Sequence, residues 1–260
     1  LGPQIRPHNE KRFSVPWSPP VPRLREYVNA LRAIWRCWET GEKLNFRGEH
    51  YTFSLMIPNF VPPSTGQVPV PITIAAVGDH SLRLSCDAFD GVRLHPFCTR
   101  SYLEDVVMKR IQEGMAKTDR MREKFEITGG GFVATGETDE EVEKIAEWVR
   151  YRIAFYGSTP SYWPVFEHHG QGDLGRKLNK MTKEGKWDQI ASEIPDDVLH
   201  DFAAIARYDQ LQKAIEVRFG GAADAIYAST SQDIRPSIPG EVLQDVARIP
   251  TVFEGFSKDW

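Results

Sequence analysis

Long hydrophobic runs, clustered cysteines and an excess of charge of one sign are all missing from this sequence of 260 residues. No apolar stretch approaches the roughly 20 residues needed to span a bilayer, so no membrane-spanning helix is expected. The formal net charge of -4 gives no reason to expect a nucleic acid or an anionic membrane surface as a partner. With 41% hydrophobic residues, the composition instead predicts a globular protein with one sizeable core.

Cysteine is scarce, and the three that occur have neither CxxC nor metal-type spacing. This usage suits a reducing, cytoplasmic environment better than a disulfide framework, and Cys37, Cys86 and Cys98 are expected to be small buried residues. No metal site is predicted, because the adjacent His168 and His169 lack carboxylates at ligand spacing and are more typical of a loop surface. The absence of a GxSxG sequence argues against an open-sheet hydrolase.

Buried-type strands and amphipathic helices alternate along the chain. Residues 71–77 are apolar and β-branched, which is typical of a strand buried on both faces, and residues 92–95 form a second such run. Between them, Asp79 and Ser81 are expected to cap a helix. Strand, helix and strand with short loops make a βαβ unit, so the turn at Gly78 lies where a strand ends and a helix begins.

Further elements are predicted on the same grounds. They are an amphipathic helix that Gly41 stops, a hairpin over 45–53, helices over 101–115, from 138 and over 209–219, one glycine-containing strand over 125–136, and a strand over 223–228. Residues 155–195 are aromatic and irregular. No linker or repeat divides the chain, which indicates one domain, either an open doubly wound sheet or a (β/α)8 barrel.

Four stretches, taken in chain order, carry a family resemblance. They are LREYVNALRAIWRCWETGEKLNFRGEHYTF, PVPITIAAVGDHSLRLSCDAFDGVRLHPF, FEITGGGFVATGETDEEVE and LQKAIEVRFGGAADAIYA. As a set they resemble the bacterial luciferase-like monooxygenases. The pairing of RYRIAFYGSTPSYWPVFEHHG with IPDDVL is similar to the members of that family that are oxidoreductases dependent on coenzyme F420.

The resemblance implies a (β/α)8, TIM-barrel-like fold that is incomplete at its amino terminus. Residues 1–260 would form a single barrel domain, with 155–195 as an irregular helical insertion that acts as a lid. Residues 1–4 would match the end of the fourth strand, so the first three βα units would be absent from this chain. Because a partial barrel exposes strand edges and apolar interior, a homodimer or larger homo-oligomer is expected.

The resemblance also implies a cofactor site at the carboxyl ends of the strands, where such barrels gather their active sites. The turn after residues 71–77 would hold the phosphate of coenzyme F420, with FMN as the alternative, through backbone N–H groups at a helix amino terminus. The residues implied are Gln4, Ala75, Ala76, Val77, Gly78 and Asp79. A plain connecting turn is the other interpretation of Gly78.

His95 is the candidate catalytic residue, because it closes the second strand, where a neutral imidazole could hydrogen-bond a flavin carbonyl or pass a proton. A structural strand-end histidine is the alternative. His8 is a candidate substrate contact in the loop after residues 1–4. Tyr162, Trp163 and Phe166 would form an aromatic lid over the substrate, with core packing as the alternative.

The glycine triplet at 129–131 lies inside a strand and lacks the GxGxxG helix start of a dinucleotide site. It is expected to let a helix or a ligand approach the strand closely. The leading functional hypothesis is therefore an oxidoreductase in which F420, or alternatively FMN, exchanges a hydride with a small organic substrate. The alternative is a catalytically silent, truncated relative that acts as an oligomeric binding or structural protein.

Overall fold

A computed structural model describes residues 1–64, 69–228 and 238–257 of the chain. The chain forms two compact units, the first of Leu1–Val92, Ile111–Glu126 and Gly255–Trp260 and the second of Arg93–Arg110 and Ile127–Glu254. The sequence shows no boundary between them because the chain passes from one unit to the other without a linker. Within the described residues, no helix combines the length and the apolar character that a membrane crossing requires.

The regular elements have the following bounds. The strands are β1 (Phe46–Arg47), β2 (Thr52–Phe53), β3 (Thr73–Ala76), β4 (Gly91–Leu94), β5 (Glu126–Gly129), β6 (Phe132–Gly136) and β7 (Ala203–Arg207). The helices are α1 (Pro20–Thr40), α2 (Asp79–Ala88), α3 (Arg100–Tyr102), α4 (Lys109–Thr118), α5 (Asp139–Gly157), α6 (Trp163–His168), α7 (Gly172–Lys183), α8 (Asp196–Phe202), α9 (Leu211–Phe219) and α10 (Gly240–Ala247).

The first unit contains the predicted amphipathic helix and hairpin. Helix α1 ends at Gly41, whose φ of 73° places it in the left-handed region that favours glycine. Strands β1 and β2 pair antiparallel, with Phe46 opposite Phe53. Both predictions are confirmed.

The βαβ unit around Gly78 is also confirmed, although β3 differs from the expected strand. Ile74 and Ala76 are buried, at 1% and 2% exposure, whereas Ala75 between them is exposed. Successive side chains of a strand point to opposite faces, so β3 is buried on one face and not on both. A three-stranded sheet follows the order β3, β4, β5.

The predicted single strand over 125–136 is instead two strands, β5 and β6, which belong to different sheets. Gly129 and Gly130 have φ values of 88° and 93°, and these positive angles turn the chain out of its extended path. Strand β6 then pairs parallel with β7, with Ala134 opposite Ile205. Strand β7 is not predicted from the sequence, because its alanine-rich residues have little of the β-branched character that marks a strand.

The strand predicted over 223–228 is reduced to one parallel bridge, between Thr128 and Ala225. Just before the bridge, the Asp224 carboxylate accepts the Ile127 N–H at 2.8 Å, a group that a longer strand pair would use for backbone pairing. Because β5 itself turns away at Gly129, the pairing cannot extend further.

Residues 155–195 are helical in the structure, in agreement with a helical insertion. Helices α6 and α7 pack with α5 and α8 around a core that contains Phe97, Phe166 and Phe202. Phe166 lies 5.1 Å from the Phe97 ring and 5.7 Å from the Phe202 ring, measured between centroids. The role of this region as a lid stays a prediction.

Candidate functional site

The turn at Gly78 in the first unit is open and accessible. Strand β3 ends at Ala76 and helix α2 begins at Asp79, with Gly78 as the N-cap residue. The backbone of Gly78 is extended, with φ of -99° and ψ of 166°, a conformation that any residue can adopt. A Cβ added at Gly78 would meet nothing within 4 Å. Neither the backbone nor the neighbouring side chains therefore require glycine at this position.

The same turn presents the amino terminus of α2. The Gly78 carbonyl accepts the N–H groups of Ser81 and Leu82, both at 3.1 Å, which starts the helix. The first N–H groups of an α-helix have no partner inside the helix, and the helix dipole adds a partial positive charge there. Such an end can hold an anion, so the geometry fits the phosphate-binding role predicted for Ala75 to Asp79.

Asp79 does not cap the helix as the sequence predicted. No side chain caps α2; instead the Asp79 Oδ2 accepts a hydrogen bond of 3.0 Å from the Arg83 Nε, one turn along the helix. The reason is that Asp79 is the first helical residue, beyond the N-cap position from which a side chain can reach back to the helix N–H groups. The ion pair places a cation next to this carboxylate, which reduces its repulsion of a bound anion.

Residues 1–4 run beside β3. The Leu1 amino group donates to the Thr73 carbonyl at 2.7 Å, and the Ala75 N–H donates to the Leu1 carbonyl at 2.8 Å, which is the alternation of a parallel strand pair. Continued along an extended chain, this register brings Gln4 level with Val77. Gln4 is exposed and has a φ of 59°, a left-handed conformation that is uncommon outside glycine.

His8, the predicted substrate contact that follows, begins a short π-helical turn, His8–Arg12, and is half-buried. Its carbonyl accepts the Phe13 N–H at 3.0 Å. The first unit thus contains the Gly78 turn, Gln4 and His8, and the strand register places Gln4 at the same end of β3 as the turn.

In the second unit, His95 follows the last residue of β4 and is half-buried. Its Nδ1 accepts the Phe97 N–H at 3.0 Å. Burial, with the nearby positive charge of Arg152 as the second cause, lowers the pKa of His95 to about 4. The ring is therefore neutral near pH 7. Because Nδ1 is the acceptor, the ring proton lies on Nε2, which makes that nitrogen a hydrogen-bond donor.

An aromatic cluster from α5 and the following turn surrounds His95. The Tyr156 ring meets the His95 ring edge-on at 4.4 Å between centroids, and the Tyr162 ring lies at 4.7 Å. Burial, with Tyr156 as the second cause, raises the pKa of Tyr162. Both side chains are half-buried, so this cluster can contact a substrate and restrict water around His95.

Arg152 and Tyr156 are functional candidates that the sequence analysis missed. The Arg152 Nη2 donates to the Tyr156 hydroxyl, and its guanidinium lies 4.7 Å from the centroid of the Tyr156 ring and 5.5 Å from that of Trp148. Among the described residues, the buried Arg152 Nε has no hydrogen-bond partner. The available signal was an arginine with aromatic residues four positions before and after it, which places all three on one side of a helix.

The other two predicted lid residues, Phe166 and Trp163, differ in their burial. Phe166 is fully buried in the core, as the core-packing alternative holds. Trp163 is half-buried and donates its Nε1–H to the Gly157 carbonyl at 3.0 Å. Tyr162 is therefore the member of the predicted lid that the structure brings to His95.

The neighbouring histidine pair is bound to hydroxyl groups. The His169 Nε2 lies 2.7 Å from the Thr99 Oγ1, and the His168 Nε2 lies 3.1 Å from the Ser101 Oγ. These contacts fasten the end of α6 to the start of α3 within the second unit. The three cysteines are unpaired and buried, as predicted.

Comparison with known proteins connects these features to one family. The family model described as luciferase-like monooxygenase matches residues 1–224. An uncharacterized protein of Mycobacterium tuberculosis is 42% identical over 237 residues, which cover 90% of this chain and 69% of that protein.

Two solved structures share the fold. A coenzyme F420-dependent tetrahydromethanopterin reductase from Methanopyrus kandleri has a TM-score of 0.68 and 14% identity, over 95% of this chain and 71% of that one. The oxygenating constituent of 3,6-diketocamphane monooxygenase from Pseudomonas putida, solved with FMN, has a TM-score of 0.57 and 14% identity, over 96% of this chain and 69% of that one. The likeness confirms the TIM-barrel-like fold class.

Proposed function

Because the chain belongs to the luciferase-like monooxygenase family, we propose that it is an oxidoreductase that uses coenzyme F420, or alternatively FMN, to exchange a hydride with a small organic substrate. The observation that carries this proposal is the open turn at Gly78. Neither the conformation of Gly78 nor any neighbour within 4 Å requires a glycine there. A bound phosphate would require it, since a side chain would occupy the space that the anion needs.

The first unit would hold the phosphate of the cofactor. Backbone N–H groups at Ala76 to Asp79 would donate to the phosphate oxygens, and the α2 dipole would favour their charge. The Gln4 side chain, level with Val77 by the strand register, would add an amide contact. When bound, F420 or FMN supplies the hydride chemistry, and the protein positions it and excludes water.

In the second unit, we assign His95 the role of a neutral donor. Its Nε2–H is suited to a carbonyl oxygen of the cofactor ring or the substrate, whereas a pKa of about 4 makes it a poor proton carrier near pH 7. Tyr162 and Trp163 of the same unit would contact the substrate with their aromatic rings. His8 stays a candidate substrate contact.

The proposal is tested with Gly78→Ala. The added methyl group has room, and the backbone conformation suits alanine, so thermal stability should not decrease. Affinity for the cofactor should fall by about tenfold or more, because the methyl group displaces the phosphate from its N–H donors. F420 and FMN are titrated separately, with quenching of cofactor fluorescence as the readout.

Gly240→Ala is the matched control, because Gly240 lies at the start of a helix, as the first residue of α10, and an added Cβ there also meets nothing within 4 Å among the described residues. It should bind both cofactors as the wild type does. Unchanged affinity in Gly78→Ala would make Gly78 a mere connector. Absence of binding by the wild type would instead favour the catalytically silent relative.

A further inference from the structure

A cavity of about 700 Å³ lies entirely within the first unit and away from the Gly78 turn. Pro71, Asp90 and Phe125, which precede β3, β4 and β5, line it together with the carboxyl-terminal half of α1. It therefore lies at the amino ends of these strands, whereas Gly78 follows the carboxyl end of β3. In barrels of this class the reaction takes place at the carboxyl end, so this cavity is not an extension of the cofactor site.

Basic side chains dominate the cavity wall. Five cationic residues and two acidic residues line it, a formal excess of three positive charges. The cationic residues are Arg32, Arg36, Lys43, Arg120 and Lys124, and the acidic ones are Glu42 and Asp90.

One of the two carboxylates is already fully engaged. The Asp90 Oδ1 accepts from the Arg32 Nη2 at 2.8 Å, and its Oδ2 accepts the Ile72 N–H, also at 2.8 Å. Asp90 thus neutralises Arg32 and anchors the start of β3. Both of its oxygens thus already accept a hydrogen bond, from partners other than Arg36, Lys43, Arg120 and Lys124.

Arg120 is subject to electrostatic repulsion from a neighbouring cation of the cavity wall. It is half-buried and donates its Nη1–H to the Phe89 carbonyl, a neutral partner. Burial is the main cause that lowers its pKa, Asp90 opposes the shift, and the positive charge of Arg32 adds to it. In the part of the chain that the structure describes, Arg36, Lys43 and Lys124 form no ion pair. A cluster of cations with too few carboxylates is stabilised when an anion binds among them.

We propose that this cavity binds a small molecule that carries a multiply charged oxyanion, either a phosphate ester or a cluster of carboxylates. The volume lies within the range of small-molecule sites. Arg36, Arg120 and Lys124 bind the oxyanion, since guanidinium groups pair with two of its oxygens at once and lysine supplies a mobile charge. Met121 and Phe256 line the same cavity and cover the organic part of the ligand.

The test is a calorimetric titration of the whole chain with inorganic pyrophosphate, and separately with citrate, at low ionic strength. The double variant Arg36→Gln/Lys124→Gln should weaken binding of the preferred anion by about tenfold or more. The matched control is Lys117→Gln/Lys213→Gln, which removes the same charge from exposed helix positions outside the cavity. It should change the affinity by less than about twofold.

Tighter binding of pyrophosphate than of citrate would identify a phosphate ligand, and the reverse a carboxylate one. Equal weakening in both double variants would show non-specific charge attraction and overturn the proposal, as would no binding of either anion by the wild type. The titration is repeated with Gly78→Ala. If Gly78→Ala binds the anion as tightly as the wild type, the result supports binding in the cavity. If Gly78→Ala loses affinity for the anion, the anion binds at the Gly78 turn instead. Thermal unfolding verifies that each variant is folded.

Discussion

The Phe97 N–H donates a hydrogen bond of 3.0 Å to the Nδ1 of His95, two residues before it. This contact selects one tautomer, because Nδ1 must be unprotonated to accept it. The neutral ring then carries its proton on Nε2. The same contact opposes protonation of the ring at Nδ1, which acts in the same direction as burial and the Arg152 charge on the pKa of His95.

The first prediction concerns stability and pH. Because the pKa of His95 is about 4 in the folded chain and about 6.5 when unfolded, the unfolded chain binds more protons between these values. The contribution of a neutral His95 is complete above about pH 6.5 and is lost as the pH falls to about 4, up to about 3 kcal/mol in total. Urea denaturation of wild type and His95→Asn at several pH values measures it.

His95→Asn is informative because the Asn Oδ1 can accept the Phe97 N–H but does not titrate in this range. The difference in free energy of unfolding between wild type and variant should therefore shrink as the pH is lowered. If the free energy of unfolding changes with pH by the same amount in wild type and His95→Asn, the prediction is wrong.

The second prediction separates the two nitrogens of His95. Asn resembles the Nδ1 side of imidazole, whereas the Gln amide reaches further and can donate from about the position of Nε2. If Nε2–H donates to the cofactor or the substrate, His95→Gln should keep more turnover than His95→Asn, by about tenfold for one charge-neutral hydrogen bond in a buried site. The steady-state rate with F420 or FMN is the readout. Equal rates in the two variants would leave His95 with a structural role.

The third prediction is that the charge of Arg152 causes part of the lowering of the His95 pKa. Arg152→Met keeps an unbranched side chain beside the rings of Trp148 and Tyr156 but removes the charge. The pKa of His95 should rise above about 4 and stay below its ordinary value, because burial is the larger cause. Arg152→Lys, which keeps the charge, should leave it nearly unchanged. NMR titration of the His95 ring measures both, and an unchanged pKa in Arg152→Met would refute the assignment.

The parts of the fold that can be predicted are those that a local sequence pattern indicates. Helix α1 has a long amphipathic repeat with a glycine stop, and the βαβ unit at Gly78 has apolar runs on both sides of a short helix. Strand β7 and the break at 129–131 have no such pattern. Strand β7 depends on pairing with β6, about 70 residues earlier in the chain, and the break depends on backbone angles that only the packed structure imposes.

The candidate site residues likewise fall into those that local sequence patterns predict and those that depend on long-range packing. Gly78 and His95 could be proposed from the sequence because each follows a strand, and the residues after strands are the usual site positions in βα folds. Arg152 and Tyr156 could not, because the charge of Arg152 and the ring of Tyr156 act on His95 from a helix about 60 residues further along the chain. Phe166 and Tyr162, only four residues apart, lie respectively in the core and beside His95, a distinction that depends on packing.

The last prediction concerns the glycine triplet, which allows a close approach by helix α9. A Cβ added at Gly131 would lie 2.6 Å from the Arg218 Nη2 and 2.9 Å from the Phe219 ring. The end of an arginine side chain usually moves aside, but Arg218 is buried at 6% exposure. Its Nη2 also donates to the Cys98 carbonyl at 2.6 Å and the Gly130 carbonyl at 2.9 Å.

Gly131→Ala should therefore destabilise the chain by about 1 to 3 kcal/mol, through overpacking and the disturbance of these two hydrogen bonds. Gly240→Ala serves again as the control, with a change within about 0.5 kcal/mol, since its added Cβ meets nothing within 4 Å. Urea denaturation measures both variants. If Gly131→Ala were as stable as the control, Arg218 would have to be free to move, and the triplet would then be available for the approach of a ligand instead of a helix.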